Sequence, residues 1–375
     1  MALGPKGQLI YILKHTASMG GYRFVQLICS QIVIVFCAVS ADAFFHRGGD
    51  LPDLPPPSQN LVLESDDVMV CEGIKFVSVP QGCPRADGDA AQIYLLEKIG
   101  VKQACSKYAA DATTTRDTLV VDVGGLYGDF GLHSASLGCN TVIFEPQPRF
   151  AKYITSSAKL NKDFSSFVNV RNGAVSTEKQ LSIVAPPRDR HGREGNPGKT
   201  FMETFRPDDG KTLKNIDAHI VNGTALSDAF NAQNTPILFL KVDTEGMEGA
   251  VIATASALFA NKKVKHLVFE YTPFQFKGRH TNYKTILDDM YRLYGATQCY
   301  ALDRNEPLIY RIKEEDNAAF HHACFLRKFQ TDIYCAFVSA EEDAARFASE
   351  VKTWVNPGPL KKDVFQSSRK VKDSS

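Results

Sequence analysis

Residues 118–148 read TLVVDVGGLYGDFGLHSASLGCNTVIFEPQP, and this stretch decides the fold. A short apolar run at 119–121 ends at Asp122, as expected of a buried parallel strand. Three glycines then predict a turn that lets the backbone approach a ligand closely: Gly124, Gly125 and Gly128. A helical segment follows, and then a second strand that ends at Glu145. The stretch therefore predicts a β-α-β unit that holds an adenosine-type ligand.

The spacing of the turn indicates which ligand it suits. An acid about 20 positions beyond a glycine-rich turn accepts hydrogen bonds from ribose hydroxyls, and Glu145 stands there. A dinucleotide site favours G-x-G-x-x-G, whereas the pattern here is Asp-x-Gly-x-x-x-Gly. Asp122 would repel a phosphate but suit the ammonium group of S-adenosylmethionine. We therefore expect S-adenosylmethionine, with a nicotinamide or flavin nucleotide as the alternative, to be bound by Asp122, Gly124, Gly125, Gly128 and Glu145.

A second motif, ILFLKVDTEGMEGAVI, covers residues 237–252. Together with VVDVGGLYGDFG at 120–131, it resembles the FkbM-type methyltransferases, and the resemblance extends over roughly 118–273. The resemblance implies a class I S-adenosylmethionine-dependent methyltransferase that acts on hydroxyl oxygens. The chain departs from the family pattern at Leu126, where Asn is usual, and at Ser227, where Asp is usual.

The candidate catalytic residues lie around the second motif. Asp243 or Glu245 is expected to take the acceptor's hydroxyl proton or to orient the acceptor, because both follow a strand end. Lys241 is expected to pair with a carboxylate and orient the site. Glu248 and Glu270 are expected to bind the substrate. For Glu248, a solvated acid at a helix start is the alternative.

The predicted fold is α/β, with a doubly wound Rossmann-like sheet of seven strands. Helical patterns alternate with the first five strands, which is typical of that fold. A polar loop at 186–199, rich in glycine and proline, is expected to be functional or disordered. The strands are predicted at 119–122, 142–145, 167–170, 237–242, 264–270, 297–302 and 332–338.

The chain is divided by composition into six segments. The methyltransferase domain is expected at 118–340, preceded by a cap at 62–117 whose helical stretch packs against the sheet. The remaining segments are a cytoplasmic N-terminus at 1–23, an apolar segment at 24–41, a Pro-rich linker at 42–61, and a C-terminal helix with a disordered tail at 341–375.

The apolar segment at 24–41 carries the expectation about localisation. About 18 apolar residues can span a bilayer as a helix, and Lys14 and Arg23 precede the segment. The segment is expected to be a signal anchor. The alternative is a cleaved signal peptide, because the small residues near Ala41 form a possible cleavage site. We expect a single-pass membrane protein whose catalytic domain is luminal or extracellular, or a secreted protein after cleavage. In such a compartment Asn222-Gly-Thr224 is a glycosylation sequon.

Nine cysteines fit an oxidising compartment without proving it. A disulfide between Cys71 and Cys83 is expected, and Cys139 is expected to be a plain core residue. No C-x-x-C motif or histidine cluster has the spacing of a zinc site, so no metal is predicted.

Composition limits the possible partners. The net charge of +1 does not suggest a nucleic-acid-binding surface. We expect a small-molecule or glycan acceptor, together with contact with a membrane through the N-terminal segment. The alternatives are a catalytically inactive S-adenosylmethionine-binding protein, suggested by Leu126 and Ser227, and a luminal glycosyltransferase.

Overall fold

The computed structural model describes residues 68–71, 73–77, 119–184, 201–204, 218–230, 236–274, 281–303, 309–339 and 351–356, with six helical residues between 92 and 105. The predicted membrane segment at 24–41, the linker at 42–61 and the polar loop at 186–199 lie outside these residues. Within the described ranges, no helix combines the length and the apolar character needed to cross a membrane.

The described elements alternate between strands and helices along most of the chain. In chain order they are β1 (Val68–Cys71), β2 (Ile74–Val77), β3 (Leu119–Val123), α1 (Asp129–Ser136), β4 (Asn140–Glu145), α2 (Pro148–Leu160), β5 (Val168–Asn172), β6 (Ala174–Val175), β7 (Gln180–Val184), β8 (Phe201–Thr204), β9 (Ala218–Thr224), α3 (Leu226–Phe230), β10 (Ile237–Val242), α4 (Glu248–Ala253), α5 (Ser256–Ala260), β11 (Val264–Tyr271), α6 (Ile286–Arg292), β12 (Gln298–Leu302), β13 (Ile309–Ile312), α7 (Asn317–Arg327), β14 (Thr331–Ala336) and β15 (Val351–Thr353).

A large mixed sheet forms the centre of the fold, in the order β15-β13-β12-β14-β11-β10-β3-β4-β5. The five strands from β11 to β5 are mutually parallel, and β14 and β12 extend the sheet with antiparallel pairings. All seven predicted strands are present in this sheet. The predicted number is nevertheless wrong, because β13 and β15 add two strands beyond β12.

Both faces of the parallel strands are buried, which explains why these strands read as apolar runs. On one face, Val120 and Phe239 pack with Phe130 of α1 and with Leu95 and Leu96, in the segment expected to be a cap. On the other face, alternate residues of the same strands pack against α4 and α5 in the main core cluster, as shown by Val121, Leu240, Val251 and Leu258. Helices on both faces make the sheet doubly wound.

A second sheet, in the order β6-β9-β7-β8, occupies the chain between β5 and β10 and was not predicted. Its buried positions form a small separate cluster of Ala174, Leu181, Ile183 and Val221. The short strands are interrupted by polar segments, so their alternation is weak in the sequence. The predicted C-terminal helix and disordered tail at 341–375 is wrong at 351–353, where β15 pairs with β13.

Two disulfides link elements of the described part. Cys105 pairs with Cys139, so the expectation that Cys139 is a plain core residue is wrong. Cys299 pairs with Cys335, and these two residues stand opposite each other on β12 and β14. Cys71 is disulfide-bonded, while its expected partner Cys83 lies outside the described residues.

Candidate active site

A cleft opens at the carboxyl ends of β3 and β10, where the order of the strands reverses. The chain places β4 and β5 on one side of β3 and then continues with β10 and β11 on its other side. Ligands of open α/β sheets bind at such a switch point. The cleft brings together the predicted residues Gly124, Glu145, Asp243 and Glu245, with 173–175 and Thr244 completing much of its wall.

The glycine turn after β3 is held tightly against its neighbours. The amides of Gly124 and Gly125 both donate to the carbonyl oxygen of Phe144, at 3.0 and 3.1 Å. A Cβ on Gly125 would stand 2.4 Å from Ile143, and one on Gly128 would stand 2.8 Å from Ile154. Of the three predicted glycines, Gly124 lines the cleft, while Gly125 and Gly128 pack beneath the turn.

Glu145 ends β4 at the wall of the cleft, where the ribose acid was predicted. Its Oε2 accepts from the amide of Leu126 at 2.8 Å, and its Oε1 accepts from the amide of Gln147 at 2.8 Å. Burial raises the pKa of Glu145 to about 7, although these two amides act in the opposite direction. The pKa of this carboxyl group therefore lies near neutral pH, and the group lines the cleft.

Asp122 and Lys241 form a buried pair beneath the turn. Lys241 Nζ lies 3.3 Å from Asp122 Oδ1, and both side chains are almost completely buried. The other carboxyl oxygen of Asp122 accepts from the amide of Gly131 in α1 at 3.1 Å. The carboxylate of Asp122 therefore ties β3 to α1 and β10 and does not line the cleft, while its contact with the cofactor stays a prediction.

Asp243 is the acid that reaches from this pair into the cleft. Its Oδ2 lies 3.9 Å from Lys241 Nζ, and its side chain is 24% exposed. Its amide donates to the carbonyl oxygen of Val123 at 2.9 Å, which extends the β3–β10 pairing by one residue. Glu245 follows on the same wall with a left-handed backbone, at φ +54°. Lys241 thus lies on the buried side of Asp243, and Asp243 and Glu245 both line the cleft.

Glu248 is buried, which contradicts the alternative of a solvated acid, while its binding of the substrate stays a prediction. Its exposed fraction is 0%, so it is not a solvated acid at a helix start, and its carboxyl oxygens accept from donors within the protein. The two donors furthest along the chain, Thr281 and Tyr283, were missed. No motif marks them, because they follow Glu248 by 33 and 35 residues.

Glu270 lies on β11, 4% exposed, opposite Asp332 of β14. Its Oε1 accepts a hydrogen bond from Gln330. The structure does not bring Glu270 to the wall of the cleft between β3 and β10, where the other predicted acids meet. Among the residues that the structure describes, no three Asp, Glu, His or Cys side chains cluster so as to hold a metal ion.

The two departures from the family pattern have different surroundings. Leu126 lines the cleft with a left-handed backbone, at φ +45°, a conformation that Asn tolerates better than Leu. Ser227 lies in α3, where its hydroxyl donates to the carbonyl oxygen of Thr254 at 2.7 Å. Only the change at Leu126 therefore bears on the shape of the cleft.

Comparison with known proteins agrees with the resemblance seen in the sequence. No curated protein matches the chain. Among solved structures, the N-terminal domain of human METTL16 in complex with SAH is 12% identical, with 66% of this chain and 71% of that chain covered and a TM-score of 0.31. WbdD is 13% identical, with 69% and 44% covered and a TM-score of 0.34. Scores this low carry no argument about the present chain. The model of the methyltransferase FkbM domain matches residues 122–295. Residues 122–295 therefore resemble the methyltransferase FkbM domain, in agreement with the two sequence motifs.

Proposed function

We propose that this domain transfers a methyl group from S-adenosylmethionine to a hydroxyl oxygen of a glycan or another hydroxylated metabolite. The observation that carries the proposal is the position of Glu145 and Asp243. The two acids approach one cleft from β4 and β10, on either side of the glycine turn. One acid suits the ribose of the cofactor, and the other suits the acceptor.

The residues of the cleft fit S-adenosylmethionine. Each oxygen of the Glu145 carboxyl group accepts one backbone amide, and a carboxylate has lone pairs for about four hydrogen bonds. It can therefore also accept the two ribose hydroxyls. Gly124 presents bare backbone at the cleft, where a side chain would occupy the ligand's space or collide with Asp243. The cofactor supplies a methyl group on a positively charged sulfur, already activated for transfer.

The protein's own contribution is alignment and removal of a proton. Asp243 would accept the acceptor's hydroxyl proton as the acceptor oxygen takes the methyl group, which S-adenosylmethionine held in the cleft would supply. Lys241, 3.9 Å from Asp243, fixes the direction of that carboxylate from the buried side. Alignment of this kind can be worth several powers of ten in rate, and proton removal about 10²–10⁴-fold.

The test is formation of S-adenosylhomocysteine by the full-length protein. The protein is incubated with S-adenosylmethionine and a panel of mono- and oligosaccharides, and the product is quantified by mass spectrometry. Product that depends on one acceptor supports the proposal. Binding without any product favours the inactive binding protein, and binding of a nucleotide sugar in place of S-adenosylmethionine favours the glycosyltransferase.

We also propose that the domain works in a luminal or extracellular compartment, anchored by residues 24–41. Five described cysteines are disulfide-bonded, and disulfides persist mainly in oxidising compartments. The side chain of Asn222 in the sequon is exposed on β9. In sealed microsomes the domain should resist protease until detergent is added, and Asn222→Gln should abolish a glycosidase-sensitive shift in mobility. Digestion without detergent would contradict this placement.

A further inference from the structure

The segment after β10 turns sharply before α4 begins, and the turn is held from beneath. Glu248, the first residue of α4, points back under the turn with its side chain fully buried. Its Oε1 accepts from the amide of Thr244 at 3.0 Å, from the Thr244 hydroxyl at 3.2 Å and from the amide of Gly246 at 3.0 Å. One carboxyl oxygen thus accepts hydrogen bonds from residues on both sides of Glu245.

The turn needs this support because its backbone is strained. Glu245 has φ +54° and Gly246 has φ +101°, so two consecutive residues lie in the left-handed region. For a residue with a side chain, such as Glu245, that conformation is costly and persists only where the surroundings impose it. Asp243 immediately precedes the turn, so the direction of its carboxylate depends on the turn's geometry.

The second oxygen of Glu248 is held by residues that approach from another part of the chain. The hydroxyl of Tyr283 donates to Oε2 at 2.6 Å, a short contact. Thr281 adds a second support, because its hydroxyl donates to the carbonyl oxygen of Gly246 at 2.8 Å and accepts from the amide of Gly249 at 3.0 Å. The segment 281–283 therefore holds both the turn and the start of α4.

Tyr283 is itself fixed in place and kept protonated. Its ring is 5% exposed and meets the ring of Tyr271 edge-on at 5.4 Å, and the Tyr271 hydroxyl donates to its carbonyl oxygen at 3.0 Å. Burial raises the pKa of Tyr283 far above its usual range, and the nearby Glu248 carboxyl group raises it further. Its hydroxyl therefore stays protonated at neutral pH and donates to Glu248.

We propose that Tyr283 is a positioning residue for methyl transfer: through Glu248 it holds the turn at 244–246, and so aims Asp243 at the acceptor. This inference rests on the proposed function, which gives Asp243 its role. Tyr283 does not line the cleft. If the Tyr283 hydroxyl only stabilised the fold, its removal would loosen the turn no more than the rest of the domain.

The test compares Tyr283→Phe with Tyr334→Phe in the full-length protein. Tyr334 is a matched control, because it is also buried and its hydroxyl pairs with His266 Nδ1 at 2.9 Å, but it belongs to the core cluster on the opposite face of the sheet. In Tyr283→Phe, we expect amide hydrogen exchange at Thr244 and Gly246 to become about tenfold faster or more, with a melting temperature no lower than that of the control.

Turnover and cofactor affinity separate positioning from general stability. With an accepted saccharide, we expect Tyr283→Phe to lower kcat about tenfold or more, while affinity for S-adenosylmethionine stays within about threefold, because Glu145 is untouched. Glu248→Gln should lower kcat as well, and the double variant should be no worse than the poorer single variant, since the two residues act through one contact.

Each of these measurements has an outcome that would overturn the inference. Unchanged exchange at Thr244 and Gly246, or an equal loss of kcat in Tyr334→Phe, would show that Tyr283 has no special part in positioning. Additive losses in the double variant would show that Tyr283 does not act through Glu248. If the wild-type protein methylates nothing, the proposed function fails, whereas the exchange measurement still decides whether Tyr283 holds the turn.

Discussion

The backbones of Gly124 and Asp243 are in contact across the switch point of the sheet. A Cβ built on Gly124 would stand 1.8 Å from the carbonyl oxygen of Asp243. The turn after β3 and the segment after β10 therefore interlock, and only a residue without a side chain fits between them. This contact joins the glycine turn to the segment that carries Asp243, at the cleft proposed to hold the cofactor and the acceptor.

Replacing Gly124 by alanine tests this interlock. Gly124 has φ +85°, so alanine suffers both a strained backbone and the collision with Asp243. Gly295→Ala is the control, because Gly295 has φ +76° but nothing within 4 Å of the added carbon. We expect Gly124→Ala to lose about 1–3 kcal/mol more free energy of unfolding than Gly295→Ala. Equal losses in denaturant titrations would mean that the collision relaxes at no cost.

Leu126 offers a change that should stabilise the protein. A left-handed backbone costs an ordinary residue about 1–2 kcal/mol, and Asn reduces that cost through its short polar side chain. Since Leu126 has φ +45°, we expect Leu126→Asn to raise the free energy of unfolding by roughly 1 kcal/mol. Leu126→Ala controls for the lost side chain and should bring no such gain. A destabilised Asn variant would indicate that packing of the Leu126 side chain outweighs the strain.

The raised pKa of Glu145 predicts that affinity for the cofactor depends on pH. Hydroxyl donors favour the ionised carboxylate, so binding should strengthen as pH rises through about 7 and level off above it. Stability changes in the opposite sense: the raised pKa favours folding below about 4.5, and this contribution is lost as pH rises through about 7.

Adenosine is the suitable probe for this dependence, because it carries the ribose hydroxyls without the titrating amino group of S-adenosylmethionine. We expect its affinity to rise up to about tenfold between pH 6 and pH 8. Glu145→Gln should remove most of that rise. A wild-type affinity that is flat over this range would show that Glu145 is already ionised at pH 6 or does not contact the ribose.

The parallel strands of the central sheet were predicted well because each strand is recognised from residues adjacent in the sequence. The apolar run that ends at Asp122 and the run that begins at Ile237 are buried on both faces of the sheet, so each strand can be read from a few adjacent residues. The sheet of β6 to β9 was missed, since its strands are short and partly polar. The added strands β13 and β15 were missed because pairing at a sheet edge has no signature within the strand itself.

The site was predicted less completely, for a similar reason. Glycine and acid spacing correctly placed Gly124, Glu145 and Asp243 at one cleft. The sequence could not show that Asp122 and Glu248 are buried and hydrogen-bonded within the protein, so their binding of cofactor and substrate stays a prediction. Their partners Lys241 and Tyr283 are 119 and 35 residues away along the chain.

Asp243→Asn distinguishes a general base from a residue that only shapes the turn. The substitution keeps size and shape while it removes basicity, so we expect cofactor affinity to stay within a few fold and kcat to fall about a hundredfold. Glu315→Gln serves as the control, because its carboxylate is 73% exposed and pairs only at 3.9 Å with Lys313. Preserved turnover in Asp243→Asn would exclude the catalytic role.

Calorimetric titration of S-adenosylmethionine into the wild-type protein and Glu145→Ala is the most direct test of the central claim, because it needs no acceptor. The carboxylate is expected to accept both ribose hydroxyls, and hydrogen bonds to a charged group contribute about 1.5–3 kcal/mol each. We expect saturable binding of one cofactor per chain, weakened at least tenfold in a folded Glu145→Ala variant. Equal affinity in the two proteins, or no binding by the wild-type protein, would contradict this claim.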